Sequence, residues 1–564
     1  SDTNLDEIKK LADQTAAAGG GQGGVDAIKG SLTISAANIT NKLKTFTNLT
    51  SDNNKINFTL DEEVSVGEAA ALIAKMHSSA TIDFAQGIKG AIGDLAKADG
   101  SAVSTELAAV LGKDPTVNIK VTDTVNTANE VKGLNVIRKG VTSGTITAAT
   151  VSIDSTAAAE FKTGTGFFDA EDPLTITISD AIDVATFNTL NGISNKSITL
   201  TSGLEDDLDK LITGADTLSA GASAANTQNG TALKIKVKDA VDSASKIALL
   251  DDLATATTGA ITASVSGAAS INASLTNLKA TDKITFSISG DATVADLAGL
   301  AGKTDKADIS LGGNITGTDV FQFMKDEGTF DTKTDNYDAA KSHTTAENIV
   351  LNDATKTTLA MTAAKNITAL NAIMNDAEGS VTAELTDPNG HLVAGVKRLT
   401  TTANDAITVD LGTLNPSGTN LDEIKKLADQ TAAAGAGQGG VDAIKGSLTI
   451  SAADITNKLK TFTNLTSDNN KINFTLDDEV SVGEAAALVA KMHTSATIDF
   501  AKGIKGGIGD LAKTDGTEGV STNLAAVLAK DPTVNIKVTD AVDSENKVIA
   551  LNAIRKGVTT GTIT

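Results

Sequence analysis

The side chains able to do chemistry in this 564-residue chain are mostly carboxylates. A hard cation such as calcium needs several oxygens from one compact turn. The densest such group is Glu205, Asp206, Asp207 and Asp209, which makes calcium the metal expectation. Smaller groups are Asp61, Glu62 and Glu63, and Asp169, Glu171 and Asp172. None has the DxDxDG spacing of a calcium loop. Acids of this kind also serve at helix N-termini, where they complement the helix dipole. The string GGQGGVDAI from Gly20 comes near the glycine-rich calcium nonapeptide GGxGxDxUx. Gly24 and Val25 nevertheless separate Gly23 from Asp26 where that motif has one residue. It reads as a loop, and the helical LDEIKKLADQ before it rules out a dinucleotide fingerprint, which needs a strand there.

Other chemistries find little support. His77, His343, His391 and His493 are too scattered for a ligand set, and the absence of Cys removes thiolate sites and disulfides. No GxSxG elbow or HExxH motif is present. With three Arg, one Tyr and no Trp, the chain lacks the aromatic and guanidinium platforms of carbohydrate-processing enzymes, and no enzyme is expected. A net charge of -23 excludes sequence-independent nucleic-acid binding, which rests on neutralising phosphates. No apolar run approaches the roughly 20 residues that span a bilayer, so no membrane insertion is expected in this segment. One stretch stands apart, Val320 to Tyr337, which gathers Phe321, Phe323, Met324, Phe330 and Tyr337 in an aromatic-poor chain. It reads either as an interface patch for a partner or as a local extra core packing an insertion.

The elements that must hold these residues repeat. The strings ITASVSG at Ile261, ITFSISG at Ile284 and ADISLGG at Ala307 recur every 23 residues. Ile284, Phe286 and Ile288 alternate with Thr285, Ser287 and Ser289, the period-two pattern of a strand with one buried face. Behind that strand, Val294, Leu297 and Leu300 fall at helical spacing, and Thr293 with Asp296 fits a capping box. Ser65 with Glu68 makes the same signature before Ala70, Ile73 and Ala74. Further strands are predicted around Ile56 and Phe58, Ile119 and Val121, Ile176 and Ile178, Ile235 and Val237, and Ile407 and Val409. Strands and helices in such short alternation force parallel neighbours with right-handed crossovers. The predicted fold is α/β, a right-handed parallel solenoid of strand–helix coils of about 23–36 residues that stack into an elongated rod.

A larger repeat contains the smaller one. LDEIKKLADQTAAAG begins at Leu5 and again at Leu421, an offset of 421 − 5 = 416, and only nine of the first hundred residues differ between the copies. An extra residue near Glu518 to Val520 shifts the offset to 417, and the match then runs to Thr564. Residues 1–416 are therefore read as one large unit of about fourteen coils and 417–564 as the start of a second, in an excerpt of a longer array.

The strings TTGAITASVSG at Thr257, TSGTITAATVS at Thr142 and DAVDSASKIALLDDLATATTG at Asp239 resemble the degenerate repeats of very large bacterial cell-surface proteins. These include giant repetitive proteins of marine cyanobacteria, S-layer proteins and secreted adhesins. The resemblance implies export and display at the cell surface. The expected function is that of an extracellular structural protein building a surface filament, sheath or S-layer-like assembly, with further copies of the repeat as its partners in series and laterally. The alternative is the stalk of a giant adhesin presenting a terminal binding domain.

Overall fold

A computed structural model describes residues 2–17, 26–169, 172–230, 232–305, 309–329, 331–344, 348–351, 359–360, 364–386, 405–414, 418–433, 441–513 and 517–564. The glycine-rich strings from Gly20 to Val25 and from 434 to 440, together with Glu171 and Phe330, lie outside them. The fold is mixed α/β, with short strands and helices alternating along the chain and mostly parallel sheets. Contacts divide it into two compact units, Ser1–Val265 with Ser274–Ile284, and Ser266–Ala273 with Thr285–Thr564.

In the first unit the strands Ile28–Ile34, Asn54–Leu60 and Ile82–Asp83 pair in parallel. A second parallel sheet runs from Val64–Ser65 through Ile88–Gly90, Ile119–Val125, Ile146–Ile153 and Ile176–Ile178 to Ile198–Leu200. A third begins with Leu204–Asp206, Ile235–Val237 and Ile261–Gly267. Register explains the aliphatic composition. Val64, Ile88, Ile119 and Ile146 stand opposite one another in successive strands, as do Val151, Ile176 and Ile198. Each β-branched side chain thus packs on its counterpart in the next strand and both are removed from water. The exception to parallel pairing among these strands is the antiparallel pair Ile212–Gly214 and Thr217–Leu218.

The second unit follows the same rules. Ile315, Ile349 and Val381 form one column, and Leu448, Phe474 and Ile498 form another. Phe286 and Ile288 are buried, as is Ile284 at the end of the first unit, in line with their alternation. Burial along Asn470–Leu476 repeats that along Asn54–Leu60 residue for residue.

Helices start where the caps predict. Ser65 Oγ accepts from the Glu68 N–H at 3.2 Å and Glu68 Oε2 accepts from the Ser65 N–H at 3.0 Å, a reciprocal box repeated by Ser481 and Glu484. Thr293 Oγ1 accepts from the Asp296 N–H at 3.1 Å. Ser65→Ala is expected to destabilise the helix Val66–Ile73 by about 1 kcal/mol. Amide exchange in that helix, compared with the unaltered copy Val482–Val489, checks it.

Candidate functional sites

The acidic run from Glu205 to Asp209 spans the end of the strand Leu204–Asp206 and the start of the helix Leu208–Leu211. Its four carboxylates go to different places. Glu205 lies in register with Lys236 on the next strand and pairs with it at 2.8 Å. Asp206 accepts from the Val184 N–H at 3.0 Å and from the Asp207 N–H at 2.9 Å. Asp207 occupies the N-cap position without a side-chain cap bond, and Asp209 pairs with Lys210 at 3.0 Å in the open. The structure therefore does not bring the four together as a ligand set. Among the described residues no group of three or more His, Asp or Glu side chains is gathered so as to hold a metal ion.

What Asp206 does is general. The first amide of the helix Val184–Gly192 is held by a carboxylate from later in the chain, and three more helices share the arrangement. Asp123 accepts from the Ile92 N–H at 2.8 Å, Asp239 from the Leu208 N–H at 2.9 Å and Asp540 from the Ile508 N–H at 2.9 Å. A second series secures strand starts. Asp172, Asp282, Asp405 and Asp442 accept from the N–H groups of Ile146, Ile261, Val381 and Ile407 at 3.3, 2.8, 2.9 and 2.7 Å. In both series the acid lies 21–35 residues later in the chain, within or beside a later strand, and satisfies a donor that its own segment leaves unmade. Sequence reasoning missed this use of the acids. The signal was present in IKVTD at Ile119, IKVKD at Ile235 and IKVTD at Ile536, each ending on the capping Asp.

The electrostatics follow from burial and partners. Burial works to raise the Asp239 carboxyl, but the Leu208 N–H and the Lys246 ammonium outweigh it and hold the group below the ordinary carboxylate range. Asp172 goes the other way. Burial pushes it up, against the Ile146 N–H and the Arg138 guanidinium. That guanidinium is itself enclosed, with Nε 3.0 Å from Asp172 and Nη1 donating to the Gly144 carbonyl at 3.0 Å.

Asp206→Ala is expected to lower the stability of this region by about 1–2 kcal/mol, because the Val184 N–H loses its acceptor. The loss should be equal in calcium and in chelator, and smaller for Asp206→Asn, which keeps an oxygen acceptor. Urea titrations under both conditions read it out, and a calcium-dependent difference would restore the metal reading.

The aromatic segment is mostly core. Phe323 and Tyr337 meet edge to face with centroids 5.1 Å apart, and both are buried together with Met324. An antiparallel bridge between Met324 and Lys333 folds the insertion back on itself, which is why these rings turn inward. The interface reading of Phe323, Met324 and Tyr337 thus gives way to the local core. Phe321 is half-buried, and Phe330 is not among the described residues.

Two open depressions lie between helix N-termini. One is bordered by Ser65, Lys89, Asp94 and Ser104, the other by Asp183, Asn188, Asp206 and Ser219. Ser65, Ser104, Asp183 and Ser219 are already engaged as helix caps there. No protein-family model matches the chain, and no curated protein matches it.

Proposed function

We propose that this chain is a non-enzymatic extracellular structural protein, part of a tandem-repeat solenoid that builds a bacterial surface filament, sheath or layer. In this reading the strand–helix modules are right-handed coils stacked into a rod, and 416 residues make one unit of it. The observation that carries the reading is the use of the polar side chains. Asp carboxylates cap the neighbouring module in place of gathering into a site, and where both copies are present, as at Asp123 and Asp540 or Ser65 and Ser481, the same caps recur 416 or 417 residues later. Repetition with unchanged internal bonds extends length without adding chemistry.

Electron microscopy of cell-surface preparations and of the purified chain tests this. Ordered fibres or sheets with an axial repeat of about 65–70 Å, one large unit at the spacing of β-strands, are expected. Dispersed rods would move the reading to an adhesin stalk, and compact globules would overturn the solenoid.

A further inference from the structure

The two copies of the large repeat begin with the same residues in different surroundings. From Ala27 to Ile34 and from Ala443 to Ile450 the sequence is AIKGSLTI. The strand Ala443–Ile450 lies between Asn470–Leu476 and Ala406–Leu414, with Thr408 opposite Ala443, Val409 opposite Ile444 and Asp410 opposite Lys445. Among the described residues the strand Ile28–Ile34 has the first kind of neighbour, Asn54–Leu60, and is otherwise an edge.

The same positions have different neighbours in the two copies. Gly446 has φ +134°, and a Cβ there would come 2.8 Å from the Gly412 carbonyl oxygen and 3.1 Å from Leu411 Cβ. Gly30 has φ +155° and nothing within 4 Å of the same position. Asp442 clasps Ile407 at two points, its carboxylate accepting from the Ile407 N–H at 2.7 Å and its N–H donating to the Ile407 carbonyl at 2.8 Å. Asp26 occupies the equivalent place before the edge strand. Lys445 lies 3.6 Å from Asp410 and 2.6 Å from Glu384, whereas its equivalent Lys29 is exposed. On the adjoining helix Asp2–Ala17, Leu11 is 40% exposed, while its equivalent Leu427 is fully buried.

We propose that the face formed by the helix Asp2–Ala17 and the outer edge of the strand Ile28–Ile34 binds, in parallel, a strand with the sequence of Ala406–Leu414 supplied by another copy of the repeat unit. Apart from Asp2, which is Gly418 in the second copy, the surface is identical in sequence to one that already holds this strand, so the second copy displays the bound state of the first. Recognition has three parts. Main-chain hydrogen bonds extend the sheet, the Asp26 carboxylate and N–H clasp the residue equivalent to Ile407, and Lys29 meets the carboxylate equivalent to Asp410. Gly30 leaves room for the incoming backbone. The inference deepens the proposed function and rests on its stacked-module reading, since it names the contact by which one unit receives another.

The test uses the full chain and a synthetic peptide of residues 405–414, followed by hydrogen exchange. Peptide is expected to slow exchange at Asp26 and along Ile28–Ile34 and to leave the strands of the second copy unchanged. Gly30→Ala should weaken binding at least tenfold, and Lys29→Asp should do the same until it is paired with a peptide carrying Asp410→Lys. Absence of protection at millimolar peptide, protection elsewhere only, or undiminished binding by both variants overturns the proposal. A second measurement removes the cost of ordering a free peptide. Residues 401–416 are copied ahead of Ser1, and the labelling of Leu11→Cys is expected to slow at least tenfold, while unchanged labelling overturns the inference. Docking without fibres or sheets under the microscope would keep this contact and sink the surface-assembly reading instead.

Discussion

Replacing Arg138 by alanine is expected to destabilise the surrounding modules by about 3–5 kcal/mol, the range for removing one partner of a buried ion pair. Asp172 is 1% exposed and would keep its place at the start of Ile146–Ile153 with its guanidinium partner gone. The Gly144 and Val141 carbonyls would lose a donor as well. The effect should depend on pH in a definite sense. The native Asp172 carboxyl already sits above its ordinary range, burial being the largest cause. A group raised in this way favours the native state below the unfolded value and loses that contribution as pH rises through the folded one. Removing the cation raises it further, so the loss in Arg138→Ala should be largest at neutral pH and shrink towards the ordinary carboxylate range. Urea titrations of parent and variant across that window measure the difference. A loss that does not change with pH would mean that packing of the arginine stem dominates.

Gly259→Ala is expected to be comparably severe, at about 3 kcal/mol or more, the upper end of the range for overpacking. A Cβ at Gly259 would lie 1.9 Å from the Leu233 carbonyl oxygen, and at the equivalent Gly144 and Gly561 it would lie 2.2 Å from the Val117 oxygen and 2.0 Å from the Val534 oxygen. The obstacle is backbone, which cannot swing aside as a side chain can. To make room, the strand Ile235–Val237 would have to leave its register with Ile261 and Thr262. Amide exchange in those two strands should therefore accelerate together. Gly112→Ala is the control, since it sits inside the helix Thr105–Lys113 with nothing within 4 Å of a new Cβ. The second copy already carries Ala529 there. This change should stabilise the helix by about 0.5–1 kcal/mol.

What could be read in advance was whatever is encoded within a few residues. Alternation at Ile284, Phe286 and Ile288 placed a strand, and Ser65 with Glu68 placed a helix start, because each signal is complete inside one turn or one strand. Leu204–Asp206 escaped as a strand because only Leu204 is apolar and its charged neighbours drew attention to metal chemistry. The acids themselves were visible but their use was not. Asp239 finds the Leu208 N–H 31 residues earlier, and only the stacking of strands brings the two together. The segment from Val320 to Tyr337 left two readings open for a related reason, since irregular aromatic spacing does not distinguish rings that face water from rings that fold back.

The capping carboxylates also impose an order in time. Asp123, Asp206, Asp239 and Asp540 serve helices that begin 22–32 residues before them, and the acids that hold strand starts likewise come later in the chain. A chain emerging N-terminus first therefore finishes each module only after the next has appeared. At synthesis rates of about 5–20 residues per second the delay is on the order of 1–6 s. During that interval these modules carry an unmade donor at the helix N-terminus or strand start and are less stable than when complete. Completion travels behind synthesis or export like a zip that closes one tooth late.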